Sequence, residues 1–217
     1  MPSSDVAPLL PAGTRPDEFD GTSWVGLIGF HMSRFAIRPG PPLPYVGNFP
    51  EINVRLYSVD ELGRRAVVFR SLEATRLLTV LGARLALGVP YEWARMSMVE
   101  DADGTIDYRS RRHTGPFDKL RGRVATHFAV RPTPGELAPD PLANFLTARW
   151  GMHTRVRGAT RFVPNEHEPW PLQAAELVTI DDQLVAAAGL PGVAGRHPDS
   201  VLYSAGVSTV FGLPASR

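Results

Sequence analysis

The sequence predicts a single α+β domain built around a mostly antiparallel, barrel-like β-sheet with flanking helices. Three observations predict this class. Short strand-like runs outnumber helical segments, turns rich in Gly, Pro and Asp join several of them, and no linker divides the 217 residues. We therefore expect residues 1–217 to form one domain.

The first third of the chain carries the clearest strand patterns. A short helix ends near Leu10, and residues 22–32 are apolar on both alternating faces, as in a buried strand. A Pro-rich loop separates them from residues 51–58, which alternate strictly between polar and apolar side chains. The later strand-like segments lie at residues 66–70, 93–100, 105–112, 121–130, 149–157, 160–163 and 200–213.

Three longer helical segments are predicted between these strands. The first covers residues 71–87, with Ser71 as its N-cap and an apolar stripe at helical spacing. Asp140 caps the second, a short helix with proline at its first position. The third covers residues 179–188, where Thr-x-x-Asp forms a capping box and Gly189 ends the helix.

Composition excludes several classes of protein. Without cysteine there is no disulfide scaffold, thiol nucleophile, zinc finger or iron–sulfur site. A net charge of +1 predicts no nucleic-acid partner. No apolar run is long enough to span a membrane and no secretory signal is present, so we expect a cytoplasmic protein. Of 23 basic residues only Lys119 is a lysine.

One strand carries functional side chains at every second position. Glu51, Asn53, Arg55 and Tyr57 form its polar face. If this face points into a barrel, it lines a ligand pocket, with Glu51 as acid/base and the other three as ligand-binding residues. If it points to solvent, Glu51 and Arg55 are ordinary surface charges. The alternation leaves both interpretations open.

Two other regions contribute candidate ligand-binding residues. Arginines recur on the predicted strands, and a convergent few would bind a carboxylate or phosphate because guanidinium matches these anions. Arg95 is the candidate among them. In the segment EHEPWPL, His167 lies between two carboxylates and close to Trp170. The pair either contributes to the ligand site or packs structurally in a turn.

Common catalytic motifs do not occur in the sequence. It has no Gly-x-Ser-x-Gly, Ser-x-x-Lys, Gly-x-Gly-x-x-Gly or phosphate-loop motif, so serine hydrolases, kinases and dinucleotide oxidoreductases have no support. The six histidines are scattered without metal-ligand spacing. We therefore expect neither a metal nor a cofactor.

The order of motifs resembles a known family. The runs FDGTSWVGLIGFHM, FPEINVRLY, FRSLEATRL, GVPYEWARMSM, FLTARWGMHTR, HEPWPLQAAEL and YSAGVSTVFGL resemble the YqjF-like family of uncharacterised bacterial proteins over residues 6–213. That family is similar to the acetoacetate decarboxylase superfamily. The resemblance implies a cone-shaped antiparallel β-barrel that surrounds a small-molecule pocket and is flanked by helices.

The resemblance implies a pocket carboxylate without the superfamily's chemistry. Acetoacetate decarboxylases have a Tyr-x-Glu segment where this chain has Phe-Pro-Glu, which implies Glu51 as the pocket carboxylate. Their Schiff-base lysine lies in a segment similar to residues 70–90 here, which contain no lysine. Because arginine stays protonated, it cannot replace that amine. Lys119 either substitutes for it or is a surface residue, and we do not expect classical acetoacetate decarboxylation.

The beginning of the chain differs from the family pattern. Similar proteins usually have an extra strand before the helix at residues 5–10, and the sequence as given has none. Either the natural chain begins further upstream or this protein closes its sheet differently. An absent strand leaves backbone N–H and C=O groups unpaired at a sheet edge. We therefore expect a homo-oligomer or another form of edge pairing.

Three functional hypotheses follow. The first is an enzyme, such as a lyase, cyclase or isomerase, that acts on an oxo- or carboxylate-bearing compound. Glu51 is then its acid/base, and Arg55 or Arg95 holds the anion. The alternative is a non-catalytic ligand-binding module that has lost the lysine. The third is a structural protein with a filled barrel and no ligand cavity.

Overall fold

The computed structural model describes residues 1–33, 48–77, 84, 87–113, 124–135 and 137–214. Its strands are β1 (Thr14–Pro16), β2 (Glu18–Phe19), β3 (Thr22–Ser23), β4 (Val25–Met32), β5 (Phe49–Asp60), β6 (Arg65–Ala74), β7 (Tyr91–Glu100), β8 (Ile106–Arg112), β9 (Ala125–Pro132), β10 (Gly151–Val156), β11 (Ala159–Glu166), β12 (Leu172–Asp182), β13 (Leu202–Ser204) and β14 (Val210–Phe211). The helices are α1 (Ser3–Val6), with a 3₁₀ turn at Ala7–Leu9, α2 (Pro141–Thr147) and α3 (Leu184–Ala187).

Among the described residues, twelve strands form one large mixed sheet, and β2 and β3 form a separate two-stranded sheet. The order of the large sheet is β13-β12-β9-β8-β7-β6-β10-β11-β14, and β5 branches from β6 to pair with β4 and β1. The pairings of β6 with β7 and with β10 are parallel, since each partner follows a long crossover connection. The prediction of a largely β fold with few helices is confirmed. The predicted mostly antiparallel, barrel-like arrangement is not confirmed, because within the described ranges the sheet is mixed and does not close.

Strand β5 is buried on both faces, which decides between the two interpretations of its polar face. Its apolar side chains, Ile52, Val54 and Leu56, pack in one hydrophobic cluster with Tyr108 and Phe128. On the opposite face none of the four polar residues is more than 8% exposed. The solvent interpretation is therefore excluded.

The prediction of a helix at residues 71–87 is wrong at its start, where the chain is still in strand β6. Ser71 and Glu73 lie in β6 and pair with Val54 and Ile52 of β5, so tertiary pairing overrides the local capping signal. The Ser71 hydroxyl donates to the Glu73 carboxylate at 2.7 Å instead of capping a helix. Most of the remaining prediction lies outside the described residues.

The predicted helix at residues 179–188 is also too long. Strand β12 continues to Asp182, and Thr179 pairs with Ala129 of β9, so no Thr-x-x-Asp capping box forms. The Asp182 carboxylate accepts from the backbone N–H groups of Leu184 and Val185 at the start of α3. Gly189 follows α3 with a positive φ of 91°, as predicted for its end.

The other predicted elements lie close to their expected positions. The predicted strands at 93–100 and 105–112 form the hairpin β7–β8, and those at 149–157 and 160–163 form the hairpin β10–β11. The Asp140 carboxylate caps α2 by accepting from the N–H of Leu142 at 2.8 Å. In the described part of the chain, no helix is long and apolar enough to cross a membrane.

Candidate functional site

A cavity of about 800 Å³ lies beside strand β4. Every residue from 22 to 33 contributes to its lining, and residues 193–204 contribute from the C-terminal part of the chain. Part of the lining is apolar, and beside the polar face of β5 it includes Val67 and Phe69, the register partners of Tyr57 and Arg55 in β6. The stacked rings of Tyr108 and Phe128 also belong to the lining, but they lie on the opposite face of β4. The space is therefore large enough for a small molecule with an apolar portion.

The polar part of the lining comes mainly from β5 and from two later segments. Asn53, Arg55 and Tyr57 line the cavity together because alternate residues of a strand share one face. Arg149, Asn165, His167 and Trp170 also line the cavity, and the segment at residues 193–204 adds further polar side chains, among them Arg196 and Asp199.

Arg55 is a buried cation without an acidic partner. Its Nε donates to the Tyr57 hydroxyl at 3.2 Å, and its Nη2 donates to the carbonyl oxygen of Leu146 at 3.0 Å. Arg55 is 8% exposed, and none of the described carboxylates forms an ion pair with it. Its positive charge is therefore not compensated on this wall of the cavity.

The nearby Arg149, in contrast to Arg55, has a carboxylate that neutralises its charge. Its guanidinium forms an ion pair with Asp17, which also accepts from Arg65 at 2.7 Å. Arg149 and Arg55 both lie near the Tyr57 ring, at 5.0 and 5.6 Å from its centroid. Of these two guanidinium groups, only that of Arg149 has a carboxylate partner among the described residues.

Gly26 on β4 makes room for Arg55 and Tyr57. A Cβ at this position would lie 3.1 Å from the Tyr57 hydroxyl oxygen and 3.2 Å from Cγ of Arg55, closer than ordinary contact. Gly26 is the register partner of Arg55. A glycine here therefore allows the two polar side chains to lie close against the backbone of β4.

Glu51 lies behind Asn53 and does not line the cavity. Its Oε2 accepts from the Tyr91 hydroxyl at 2.6 Å, and its Oε1 accepts from Nδ2 of Asn53 at 3.3 Å. Burial raises its pKa to about 7, although both hydrogen bonds act in the opposite direction. The carboxyl therefore changes charge near neutral pH.

The second buried carboxylate near β5 has a different environment. Glu73 accepts from the guanidinium of Arg112, with Nη2 2.8 Å from Oε1, and from the Ser71 hydroxyl. This charge is paired and hydrogen-bonded, as buried charges usually are. Burial also raises the pKa of Glu73, but the charge of Arg112 opposes this rise, whereas Glu51 has only neutral hydrogen-bond donors.

The remaining candidates lie in different places. Arg95 is exposed on β7 opposite Arg111 and is not part of the cavity lining, because its neighbour Ala94 takes the buried face. His167 and Trp170 line the cavity. Lys119 lies outside the described residues.

His167 is held by its aromatic neighbours and by the main chain. Its ring stacks on Trp150 at a centroid distance of 5.8 Å and meets Trp170 edge-on. Its Nδ1 lies 2.8 Å from the carbonyl oxygen of Glu168, and its Nε2 lies 3.0 Å from that of Arg149. Both nitrogens thus face main-chain acceptors, which fixes the ring in the wall.

Sequence reasoning missed the hydroxyl that holds Glu51. Tyr91 follows Pro90 at the start of β7, and no spacing relates it to Glu51, which lies 40 residues earlier. It also missed Asn165, whose Oδ1 is buried without a hydrogen-bond partner among the described residues. Among the residues that the structure describes, no group of three or more His, Asp or Glu side chains could hold a metal ion.

Comparison with solved structures identifies the fold. The chain is similar to acetoacetate decarboxylase from Legionella pneumophila subsp. pneumophila str. Philadelphia 1, with a TM-score of 0.66, 11% identity and coverage of 99% of this chain and 80% of that one. The enduracididine biosynthesis enzyme MppR, in complex with pyruvate, gives a TM-score of 0.56 at 16% identity, covering 95% of this chain and 77% of that one.

A third structure agrees with these two. An acetoacetate decarboxylase-like enzyme from Sphingomonas wittichii RW1 has a TM-score of 0.52 and 12% identity, with coverage of 95% of this chain and 81% of that one. At these identities the three similarities establish an acetoacetate decarboxylase-like fold.

Comparison of sequences identifies the family. The chain is 35% identical to the uncharacterized protein YqjF of Bacillus subtilis (strain 168) over 170 residues, which is 77% of this chain and 67% of YqjF. The model of the DUF2071 family, described as an uncharacterized conserved protein, matches residues 1–208. The chain therefore belongs to the DUF2071 family of YqjF-like proteins and has the acetoacetate decarboxylase-like fold.

Proposed function

We propose that this protein binds an oxo- or carboxylate-bearing small molecule in the cavity beside β4, with the ligand carboxylate on Arg55. The observation that carries the proposal is the buried guanidinium of Arg55, which lines the cavity and has no carboxylate partner in the described ranges. An uncompensated buried charge is costly, and a bidentate ligand carboxylate would compensate it. The apolar lining suits the remainder of such a ligand.

The chemistry of the ligand fits what one structural neighbour contains. The MppR structure holds pyruvate, which is a small carboxylate. MppR is similar to this chain only in fold, so the ligand class proposed here depends on Arg55 and not on that similarity.

In its catalytic form, the proposal assigns Glu51 as acid/base of a lyase, cyclase or isomerase. A pKa of about 7 suits proton transfer at neutral pH, since both protonation states are populated. The proposed chemistry does not use a Schiff base, because the single lysine of the chain does not lie in the segment at residues 70–90.

One observation favours the alternative of a non-catalytic binding module. Glu51 is separated from the cavity by Asn53, so it does not contact a ligand held at the cavity wall. With an identified substrate, Glu51→Gln discriminates the two forms. A loss of kcat of about 100-fold or more with unchanged binding supports the enzyme, whereas an unchanged kcat removes Glu51 from the mechanism.

Binding of phenylacetate, a simple carboxylate with an apolar group, tests the proposal. Isothermal titration calorimetry should show at least about tenfold weaker binding to Arg55→Gln, because a hydrogen-bonded charge pair with the ligand is lost. Arg95→Gln is the matched control, since Arg95 is exposed and outside the cavity. If folded Arg55→Gln binds phenylacetate as tightly as the wild type, Arg55 does not hold the ligand.

A further inference from the structure

We propose that the ligand on Arg55 is an aromatic carboxylate, whose planar ring stacks on aromatic side chains beside the guanidinium. This inference rests on the proposed function, because it takes the ligand carboxylate to lie on Arg55. It goes further by naming the chemical class of the rest of the ligand.

The first step is the set of rings around the Arg55 guanidinium. Its Cζ lies 5.6 Å from the centroid of the Tyr57 ring and 5.9 Å from that of Trp170. On the neighbouring strand β6, Phe69 is the register partner of Arg55, so the two side chains are neighbours on one face of the sheet. Aromatic rings therefore flank this charge on several sides.

The second step is the ring surface that a ligand can contact. Tyr57 is only 2% exposed, so its ring is taken up by its protein neighbours. Phe69 and Trp170 are half-buried, and both line the cavity. Each of these two rings therefore keeps accessible surface for a molecule bound beside Arg55.

The third step is the fixed position of Trp170. Its neighbours Pro169 and Pro171 restrict the backbone on either side of it. Its ring also meets the ring of His167 edge-on, with the centroids 6.2 Å apart. A ring that is held before binding loses little conformational freedom when a ligand stacks on it, which favours binding.

The fourth step concerns the aromatic rings on the other side of β4. Tyr108 and Phe128 stack on each other and lie against Gly29, whereas Arg55 packs against Gly26 on the opposite face of this strand. A small acid held by Arg55 therefore contacts the two half-buried rings on its own side. Stacking between aromatic rings is favourable beyond the apolar area that it buries.

Two probes distinguish an aromatic ligand from one that is only apolar. Phenylacetate carries a planar ring, and cyclohexylacetate carries a saturated ring of similar size on the same carboxylate. Isothermal titration calorimetry gives the ratio of their affinities, in which the contribution of the carboxylate cancels. In at least one of Trp170→Leu and Phe69→Leu, the preference for phenylacetate should fall about fivefold, because leucine keeps an apolar contact but has no ring.

Two control variants keep the inference falsifiable. Trp150 also stacks on His167, but it is 48% exposed and does not line this cavity, so Trp150→Leu should leave the ratio within about twofold of the wild type. Trp170→Phe keeps a ring at its position and should retain the ratio. Because Phe69 and Trp170 lie on different segments, one variant still tests the inference if the other does not fold.

The outcomes separate this inference from the proposed function. A ratio that stays within about twofold of the wild type in both cavity variants, with phenylacetate binding that is still weakened in Arg55→Gln, overturns only the inference. An equal fall in Trp150→Leu also overturns it, since the effect would not come from the cavity. Binding that does not depend on Arg55, or no binding of either acid at millimolar concentration, overturns the proposed function and the inference together.

Discussion

Replacing Glu51 with glutamine tests whether ionisation of this buried carboxyl destabilises the fold. The ordinary pKa of glutamate is 4.5 here, and burial raises that of Glu51 to about 7. Between these two values the folded protein keeps a proton that the unfolded chain has already lost. Wild-type stability should therefore fall as pH rises through this window, and the fall corresponds to about 3 kcal/mol.

Glutamine has no charge to develop, so Glu51→Gln should lack this part of the pH dependence. Urea unfolding of both proteins from about pH 5 to about pH 8 measures it, with the difference in unfolding free energy as the readout. The unfolding free energy of the variant should rise relative to that of the wild type by about 3 kcal/mol across this range.

Glu176→Gln is the matched control for this experiment. Glu176 is exposed and pairs with Arg131 at the surface, so its replacement should change stability little at any pH in the window. A difference between wild type and Glu51→Gln that stays constant with pH would refute the raised pKa and, with it, the reasoning that burial dominates at Glu51.

Two other substitutions test the geometry of the site and of the fold. Gly26→Ala places a methyl group 3.1 Å from the Tyr57 hydroxyl, so it should weaken phenylacetate binding and lower stability by about 1–3 kcal/mol. Unchanged affinity in calorimetry would show that ligand binding by Arg55 does not depend on its close contact with the β4 backbone. Asp140→Ala removes the side chain that caps α2 and should cost about 1 kcal/mol in urea unfolding, whereas an unchanged midpoint would show that the cap is not stabilising.

Much of the site could be predicted because it lies on one strand with strict alternation. The period-two pattern places Asn53, Arg55 and Tyr57 on one face whatever the rest of the fold does. Whether that face was buried or exposed could not be decided locally, since it depends on what packs against β5. The resemblance to a family with a central pocket favoured the buried face, and the structure shows it buried.

The predictions that failed concern contacts between distant parts of the chain. Ser71 and Glu73 carry a good helix-start signal, but pairing with β5 places them in a strand. Tyr91 reaches Glu51 through the parallel pairing of β6 with β7, and no local pattern indicates a parallel pair across a crossover. Arg95 has the residue type for anion binding, but it falls on the outer face of β7.

A crystal structure of the protein with phenylacetate tests the central proposal most directly. The proposal predicts the ligand in the cavity beside β4, with its carboxylate oxygens within about 2.7–3.2 Å of the Arg55 guanidinium nitrogens. A carboxylate bound to another group, or a ligand outside this cavity while Arg55 stays unpaired, would contradict it.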